Sequence, residues 1–136
     1  MPSGSPRPTR RRGTVVDMAG TLNDPLAARQ IAVCRRFSAV FAPPEAGSKV
    51  GLALDGESLP LNALRHPPQG DTNGWYIWAG EELRSDDDFF KPLHVEHLAQ
   101  RCPRILDYLG LPPGWRVLLG AGHEDVWFDR HLLLVE

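Results

Sequence analysis

The stretch that most constrains the fold of this chain runs from Gly74 to Glu81, with the sequence Gly-Trp-Tyr-Ile-Trp-Ala-Gly-Glu. Side chains alternate between the two faces of a β-strand, so Trp75 and Ile77 face one side while Tyr76 and Trp78 face the other. A strand with large aromatic side chains on both faces is typical of the interior of a sheet that is covered on both sides. We therefore predict a central strand here.

Shorter patterns before and after this stretch predict the remaining elements. Asp24 and Pro25 are typical of a helix start, and apolar residues at helical spacing continue to Phe41, just before Pro43. Further predictions are strands at 49–54 and 59–64 (Pro60 places the start of the second near an edge or a bulge), a turn at 72–74, and a helix that begins at Pro92. Pro103 interrupts this helix or begins another turn, and the apolar stripe continues to Leu109. A hairpin of 115–119 with 124–128 and a final strand or buried segment at 131–135 complete the order. This order predicts an α+β fold, a mainly antiparallel sheet of four to six strands packed with two helices.

Length and composition agree with one domain. The chain has 136 residues, of which 42% are hydrophobic and 24% charged, and this predicts a single globular domain over residues 21–136. Residues 1–20 are rich in Arg and Pro and lack periodicity, so we expect a disordered leader. The leader lacks the apolar core of a secretory signal, and the two cysteines are far apart, with Cys34 on the apolar face of the first helix. These features favour free thiols and a cytoplasmic location.

Charge is unevenly distributed along the chain. The net charge is −2, but the first twelve residues carry Arg7, Arg10, Arg11 and Arg12, which leaves 11 basic against 17 acidic residues in the rest. An acidic domain argues against nucleic-acid binding by the folded part. No apolar run approaches the roughly 18 residues of a membrane span, so no membrane partner is expected.

The acidic segment that follows the aromatic strand is the main candidate for function. Residues 71–96 contain seven acidic residues and only two basic ones, Arg84 and Lys91, which gives a local charge of −5. Such a cluster is tolerated when it is solvated, when it binds a cation, or when it faces a basic partner. Two adjoining phenylalanines would supply apolar contacts to a protein partner, or would instead enter the core. The residues concerned are Glu81, Glu82, Asp86, Asp87, Asp88, Phe89 and Phe90.

Two histidine-containing motifs are candidates for chemistry. His94 and His97 are three residues apart and could lie on one helix face, near Asp86–Asp88, although this spacing is a weak zinc pattern. The run His123-Glu124-Asp125 could supply a base and carboxylates. No phosphate-binding loop, dinucleotide fingerprint or nucleophile elbow is present. We therefore predict no enzyme, no catalytic residues, no metal and no cofactor.

Four ordered segments carry a resemblance to a known family. They are residues 74–81, residues 86–98 (Asp-Asp-Asp-Phe-Phe-Lys-Pro-Leu-His-Val-Glu-His-Leu), residues 108–116 (Tyr-Leu-Gly-Leu-Pro-Pro-Gly-Trp-Arg) and residues 124–129 (Glu-Asp-Val-Trp-Phe-Asp). This succession resembles the type-33 immunity protein-like family of bacterial polymorphic toxin systems. The similarity extends from about Lys49 to Glu136, with the first helix plausible as part of it and the Arg-rich leader outside.

The resemblance implies a small cytoplasmic protein that binds and neutralises a cognate toxin by covering its active site or substrate groove. An acidic surface favours a toxin with a basic surface, because opposite charges accelerate association. The expected contact residues are Trp78, Phe89 and Phe90 as apolar anchors, surrounded by Glu81, Glu82, Asp86, Asp87 and Asp88. No oligomeric state is implied. Two alternatives remain open, a ligand- or peptide-binding module lined by the aromatics and a metal-dependent enzyme using His94, His97 and the aspartates.

Overall fold

Six strands form one sheet in the computed structural model of the chain, which describes residues 24–54, 59–80 and 90–134. The strands are β1 (Lys49–Ala53), β2 (Leu61–Arg65), β3 (Thr72–Ala79), β4 (Lys91–His94), β5 (Trp115–Gly120) and β6 (His123–Phe128). Their order across the sheet is β4-β1-β3-β2-β5-β6, and every neighbouring pair is antiparallel except β1 and β3. The predicted α+β fold with a mainly antiparallel sheet is confirmed.

Helical segments cover one face of this sheet. They are α1 (Pro25–Arg36), α2 (Leu98–Arg101) and two 3-10 helices, Val95–His97 and Pro103–Tyr108, while a third 3-10 helix, Arg130–Leu133, follows β6. The Gln30 side chain of α1 donates a hydrogen bond to the Leu106 carbonyl at 2.9 Å, which ties α1 to the second 3-10 helix. Both elements contribute to the main core, where Trp75 and Ile77 of β3 are completely buried.

The aromatic strand is interior, as its sequence predicts. β3 lies between β1 and β2, and the alternation of its side chains sends Trp75 and Ile77 into the main core. Tyr76 and Trp78 lie on the opposite face, in a smaller apolar cluster with Leu64, Leu132, Ala53 and Phe90. The hairpin of β5 and β6 and the strand β1 are also confirmed, and Cys34 is a buried free thiol of the core.

The first helix begins as predicted but ends earlier. Asp24 caps it, since its side chain accepts a hydrogen bond from the Leu26 amide at 3.0 Å, and Pro25 is the first helical residue. The helix stops at Arg36 and not near Phe41, because Ser38 adopts a positive φ of 59°. The amides of Ser38 and Ala39 then donate to the carbonyls of Arg35 and Cys34, which is the Schellman arrangement of a helix end.

The predicted helix from Pro92 to Leu109 is wrong in its first part. Residues Lys91–His94 form β4, an edge strand paired antiparallel with β1, in which Pro92 lies opposite Gly51. An edge position tolerates proline because one side of the strand needs no amide donor. The remainder is broken into a 3-10 turn, one turn of α-helix and a second 3-10 helix that begins at Pro103.

Three further local predictions are corrected. Residues Thr72–Gly74 begin β3 and are not a turn, with Gly74 at a positive φ of 93°. The strand after Pro60 starts at Leu61 and is interior, because Pro60 stands outside it and removes no donor from the ladder. Residues Arg130–Leu133 form a 3-10 helix and not a strand, and of the alternative, a buried segment, only Leu132 is buried among residues 131–134. The predicted leader and Val135 lie outside the described residues.

Candidate partner-binding site

Two of the eight predicted contact residues fall within the described part of the chain. Trp78 belongs to β3, and Phe90 directly precedes β4. The other six lie outside the described residues: Glu81, Glu82, Asp86, Asp87, Asp88 and Phe89. The structure therefore defines the two ends from which the acidic segment departs, namely Gly80 and Phe90.

Trp78 and Phe90 are brought together on the sheet face opposite the helices. Their ring centroids are 6.1 Å apart in an edge-to-face arrangement, and the Phe90 ring packs in the same way on Tyr76 at 5.2 Å. Edge-to-face pairs at these distances are a favoured aromatic geometry. Trp78 is only 4% exposed, whereas Phe90 is partly buried. Phe90 therefore presents surface, and Trp78 supports it from below.

Gly51 makes room for this aromatic cluster. It lies in β1 opposite both Tyr76 of β3 and Pro92 of β4. A Cβ atom at this position would come within 2.6 Å of Cδ1 of Tyr76 and 3.3 Å of Cβ of Phe90. The ring of Tyr76 fills the space that a side chain at position 51 of β1 would occupy, and there it contacts Phe90.

The departure of the acidic segment from β3 is fixed by hydrogen bonds. The Gly80 amide donates to the Pro60 carbonyl at 2.8 Å, and the Gly80 carbonyl accepts from the Asn62 side-chain amide at 2.7 Å. Gly80 has a positive φ of 93°, a conformation that glycine adopts without a steric cost. Because β3 and β4 flank β1, the two ends of the segment are separated by about two strand spacings, roughly 10 Å.

The run His123-Glu124-Asp125 does not form one constellation. His123 and Asp125 are exposed, and their side chains are 3.0 Å apart. Glu124 points to the other face, where it forms an ion pair with Arg36 and accepts a hydrogen bond from the Tyr108 hydroxyl. These partners hold the pKa of Glu124 below its ordinary value, the hydrogen bond from Arg36 contributing most. Glu124 thus joins α1 to β6 and is occupied structurally.

His94 and His97 remain neighbours although they do not share a helix. His94 ends β4 and His97 ends the following 3-10 turn, with ring centroids 6.1 Å apart. The Nδ1 atom of His94 lies 3.2 Å from the Gly47 carbonyl. Within residues 24–54, 59–80 and 90–134, no three His, Cys, Asp or Glu side chains are grouped to hold a metal ion. Asp86–Asp88 lie outside those ranges.

The sequence predicts Trp78 and Phe90 as site residues, but the predicted site lacks Tyr76 and Gly51, which hold these two side chains in place. Tyr76 follows directly from the period-two alternation, since it shares a face with Trp78. Gly51 has no such signal, because its importance depends on a parallel pairing with a strand 25 residues later in the sequence. Leu132 has no such signal either, because it reaches Trp78 from the 3-10 helix Arg130–Leu133, more than 50 residues later in the sequence.

Comparison with known proteins gives one match. The model of the Imm33-like domain matches residues 29–129, which include residues 29–36 of α1 and all six strands in full. The match starts before the Lys49 boundary that the sequence resemblance suggested, so α1 is part of the family domain. No curated protein and no solved structure matches the chain. None of the helices in the described ranges combines the length and apolarity needed to cross a membrane.

Proposed function

This chain belongs to the Imm33-like domain family, and on that premise we propose that it is a bacterial immunity protein that binds and neutralises a cognate toxin. It acts in the cytoplasm, without catalysis, by covering the functional surface of the toxin. The contact surface consists of the acidic segment 81–88 together with Phe89 and Phe90, with the buried Trp78 as the support beneath Phe90, and we call it the acidic-aromatic surface.

The aromatic support of Phe90 is the observation that carries this assignment. An interface anchor contributes most when its partially exposed side chain is held in one orientation before binding. Phe90 meets this condition because Tyr76 and Trp78 pack against its ring from the strand beneath. The acids next to it in the sequence are of the residue type found in the polar rim around such anchors.

Electrostatic steering gives the acidic residues their role. The five acids of the acidic-aromatic surface are opposed within 81–90 only by Arg84. Opposite potentials on two partners raise the association rate, and salt screens this effect over a Debye length of about 8 Å at physiological ionic strength. A toxin that acts on nucleic acid carries the basic surface that fits.

The test uses the toxin domain encoded by the neighbouring gene. Co-expression of this protein should abolish the toxicity, and the purified pair should form a complex. The variant D86N/D87N/D88N should slow association at low salt by roughly tenfold or more, while dissociation changes little. At high salt the two association rates should converge.

A matched control separates local from overall charge. The variant A28K/A32K/Q100K raises the net charge by the same three units at exposed positions on the helical side of the molecule. Its association rate should stay close to that of the wild type. Equal slowing of both variants would remove the acidic segment from the interface, and a toxin that is neither bound nor neutralised would remove the proposed function.

A further inference from the structure

Arg65 is buried without a carboxylate partner. This last residue of β2 is 3% exposed, and its guanidinium donates only to main-chain carbonyls: Nε to Asn73 at 3.0 Å, and Nη1 to Ala42 at 2.6 Å and Leu111 at 2.8 Å. No acidic side chain of the described residues forms an ion pair with it. Burial accordingly lowers the pKa of Arg65 to about 10, because the charged form has lost its hydration.

One donor group of this guanidinium remains free. Nη2 of Arg65 makes no hydrogen bond within the described part of the chain, yet it is not sealed from solvent. Arg65 lines a cleft of about 450 Å³, a volume within the usual range of small-ligand sites. A buried cation next to a cleft attracts an anion strongly, because the surrounding protein screens its charge less than water does.

The rest of the cleft adds polar groups and one unpaired acid. Ser48 and Asn73 line it and hydrogen bond to each other at 3.1 Å, so they form a fixed polar wall. Asp71 also lines the cleft, but its carboxylate pairs with Lys49 at 3.1 Å. Glu45 is exposed, and within the described ranges its carboxylate forms no ion pair or hydrogen bond. Among the described residues, the cleft therefore presents a cation inside that has three carbonyls and the Trp75 ring but no carboxylate as partners, and a carboxylate at its rim that has no cationic partner.

We propose that this cleft is a binding site for a small ligand with a free carboxylate, which Arg65 receives, and a nearby amino group, which Glu45 receives. The ligand class is that of free amino acids, in which the carboxylate and the amino group share one carbon atom. The planar guanidinium is suited to carboxylate recognition, and the incoming charge compensates the one that burial left unpaired.

This site is separate from the acidic-aromatic surface. The cleft is built where β2 ends and where β1 and β3 begin, whereas the acidic segment leaves the other end of β3. Eight strand residues separate the two ends, which corresponds to roughly 23 Å. The two proposals concern opposite ends of β3 and are tested by different measurements, toxin association and small-ligand binding, so they can fail independently.

The test follows the Nε–Hε resonance of Arg65 by NMR while glycine, acetate or glycinamide is added to the full chain. Glycine carries both groups, acetate only the carboxylate, and glycinamide only the amine. Glycine should shift the resonance saturably, acetate should do so at least tenfold more weakly, and glycinamide should have no effect. Sodium chloride at equal ionic strength serves as the reference.

Two variants assign the roles of the charged residues. E45Q changes an exposed side chain and should leave the fold intact, while glycine binding falls to the level of acetate. R65K should abolish the response of the neighbouring Asn73 and Ser48 amides to both ligands; its folding is checked by the same spectrum. The proposal is overturned when glycine and acetate move the wild-type resonance no more than chloride does. Equal affinities for glycine in wild type and E45Q would overturn the role of Glu45.

Discussion

Gly51 of β1 lies directly under the ring of Tyr76 of β3, at a distance that excludes any side chain. A Cβ atom on Gly51 would stand 2.6 Å from Cδ1 and 2.9 Å from Cε1 of Tyr76. The ring has little freedom to move away, because His66 packs on it at 5.7 Å and Phe90 at 5.2 Å. One missing methyl group in β1 thus determines where the aromatic support of Phe90 can lie.

Adding that methyl group should destabilise the protein. G51A should lower the free energy of unfolding by about 1–3 kcal/mol, the usual cost of overpacking a filled site. It should also weaken toxin binding, because Tyr76 is displaced against Phe90. Chemical denaturation and the near-ultraviolet circular dichroism of the aromatic residues measure the two effects.

Gly120 provides the matched glycine for this comparison. It also belongs to a strand, but a Cβ atom there would meet only His123 at 3.4 Å, an ordinary contact. G120A should keep or slightly raise stability, since alanine reduces the freedom of the unfolded chain. Equal stability changes in G51A and G120A would show that Tyr76 accommodates the methyl group without cost.

Truncation of Phe90 should affect binding more than folding. Phe90 is partly buried and precedes an edge strand, so F90A removes an anchor from the surface while the main core stays intact. We expect the affinity for the toxin to fall by about 2 kcal/mol, which is roughly thirtyfold, as for other aromatic hot spots. Calorimetric titration of the toxin domain measures this loss.

Trp127 is the control for the loss of Phe90. It is 41% exposed on the other edge strand, β6, five strand positions and roughly 24 Å across the sheet from β4. W127A should leave the affinity within about threefold of the wild type, because rim or remote contacts contribute little. A larger loss in W127A than in F90A would place the interface at the β6 edge.

The end of α1 offers a stabilising substitution. Ser38 occupies the left-handed position of the Schellman arrangement with a φ of 59°, a conformation that costs a residue with a side chain about 1–2 kcal/mol. S38G removes this strain and should raise the free energy of unfolding by about 0.5–1 kcal/mol, with a higher Tm. S38A retains the strain and should bring no gain. If both variants have the same Tm, strain at Ser38 does not limit the helix end.

The sequence predictions are correct where the signal is local to the chain and wrong where the structure depends on distant residues or on an unusual backbone conformation. β3 and the β5–β6 hairpin were predicted because their signals, alternation and a tight turn, are local to the chain. The local pattern at β4 predicts a helix because the strand's pairing partner is distant along the chain: His94 lies opposite Lys49. The local pattern does not indicate the early end of α1, because Ser38 and not glycine adopts the left-handed conformation there.

In the candidate site, too, local signals can be recognised in the sequence and long-range contacts cannot. Phe90 and Trp78 could be singled out from composition, as aromatic residues next to an acidic run. Neither Gly51 nor the free donor of Arg65 could be, since each depends on segments that only the fold brings together. Local sequence thus indicates which residues are available for function, and the pairing of strands decides which of them are supported.

The contact between Glu124 and Arg36 should make stability dependent on acidic pH. The pKa of Glu124 is lowered in the folded protein, mainly by the hydrogen bond from Arg36 and to a smaller extent by the hydrogen bond from Tyr108. A carboxyl group with a lowered pKa stabilises the fold above its ordinary value of about 4.3, and this contribution is lost as the pH falls through the folded value. E124Q should therefore cost about 1–2 kcal/mol at pH 7 and show a shallower loss of stability below about pH 4.5.

Tyr108 and Asp125 complete this test. Burial and, second, the hydrogen bond to Glu124 raise the pKa of Tyr108 to about 12. The stabilising contribution of Tyr108 is therefore present below its ordinary pKa of about 10 and is lost as the pH rises through the folded value. Y108F should remove that alkaline dependence and leave the acidic one, which Arg36 maintains. D125N, next to Glu124 but exposed, should change stability by at most about 0.5 kcal/mol. Denaturant unfolding between pH 3 and 11 measures all four proteins, and parallel acidic curves for wild type and E124Q would contradict a stabilising role for Glu124.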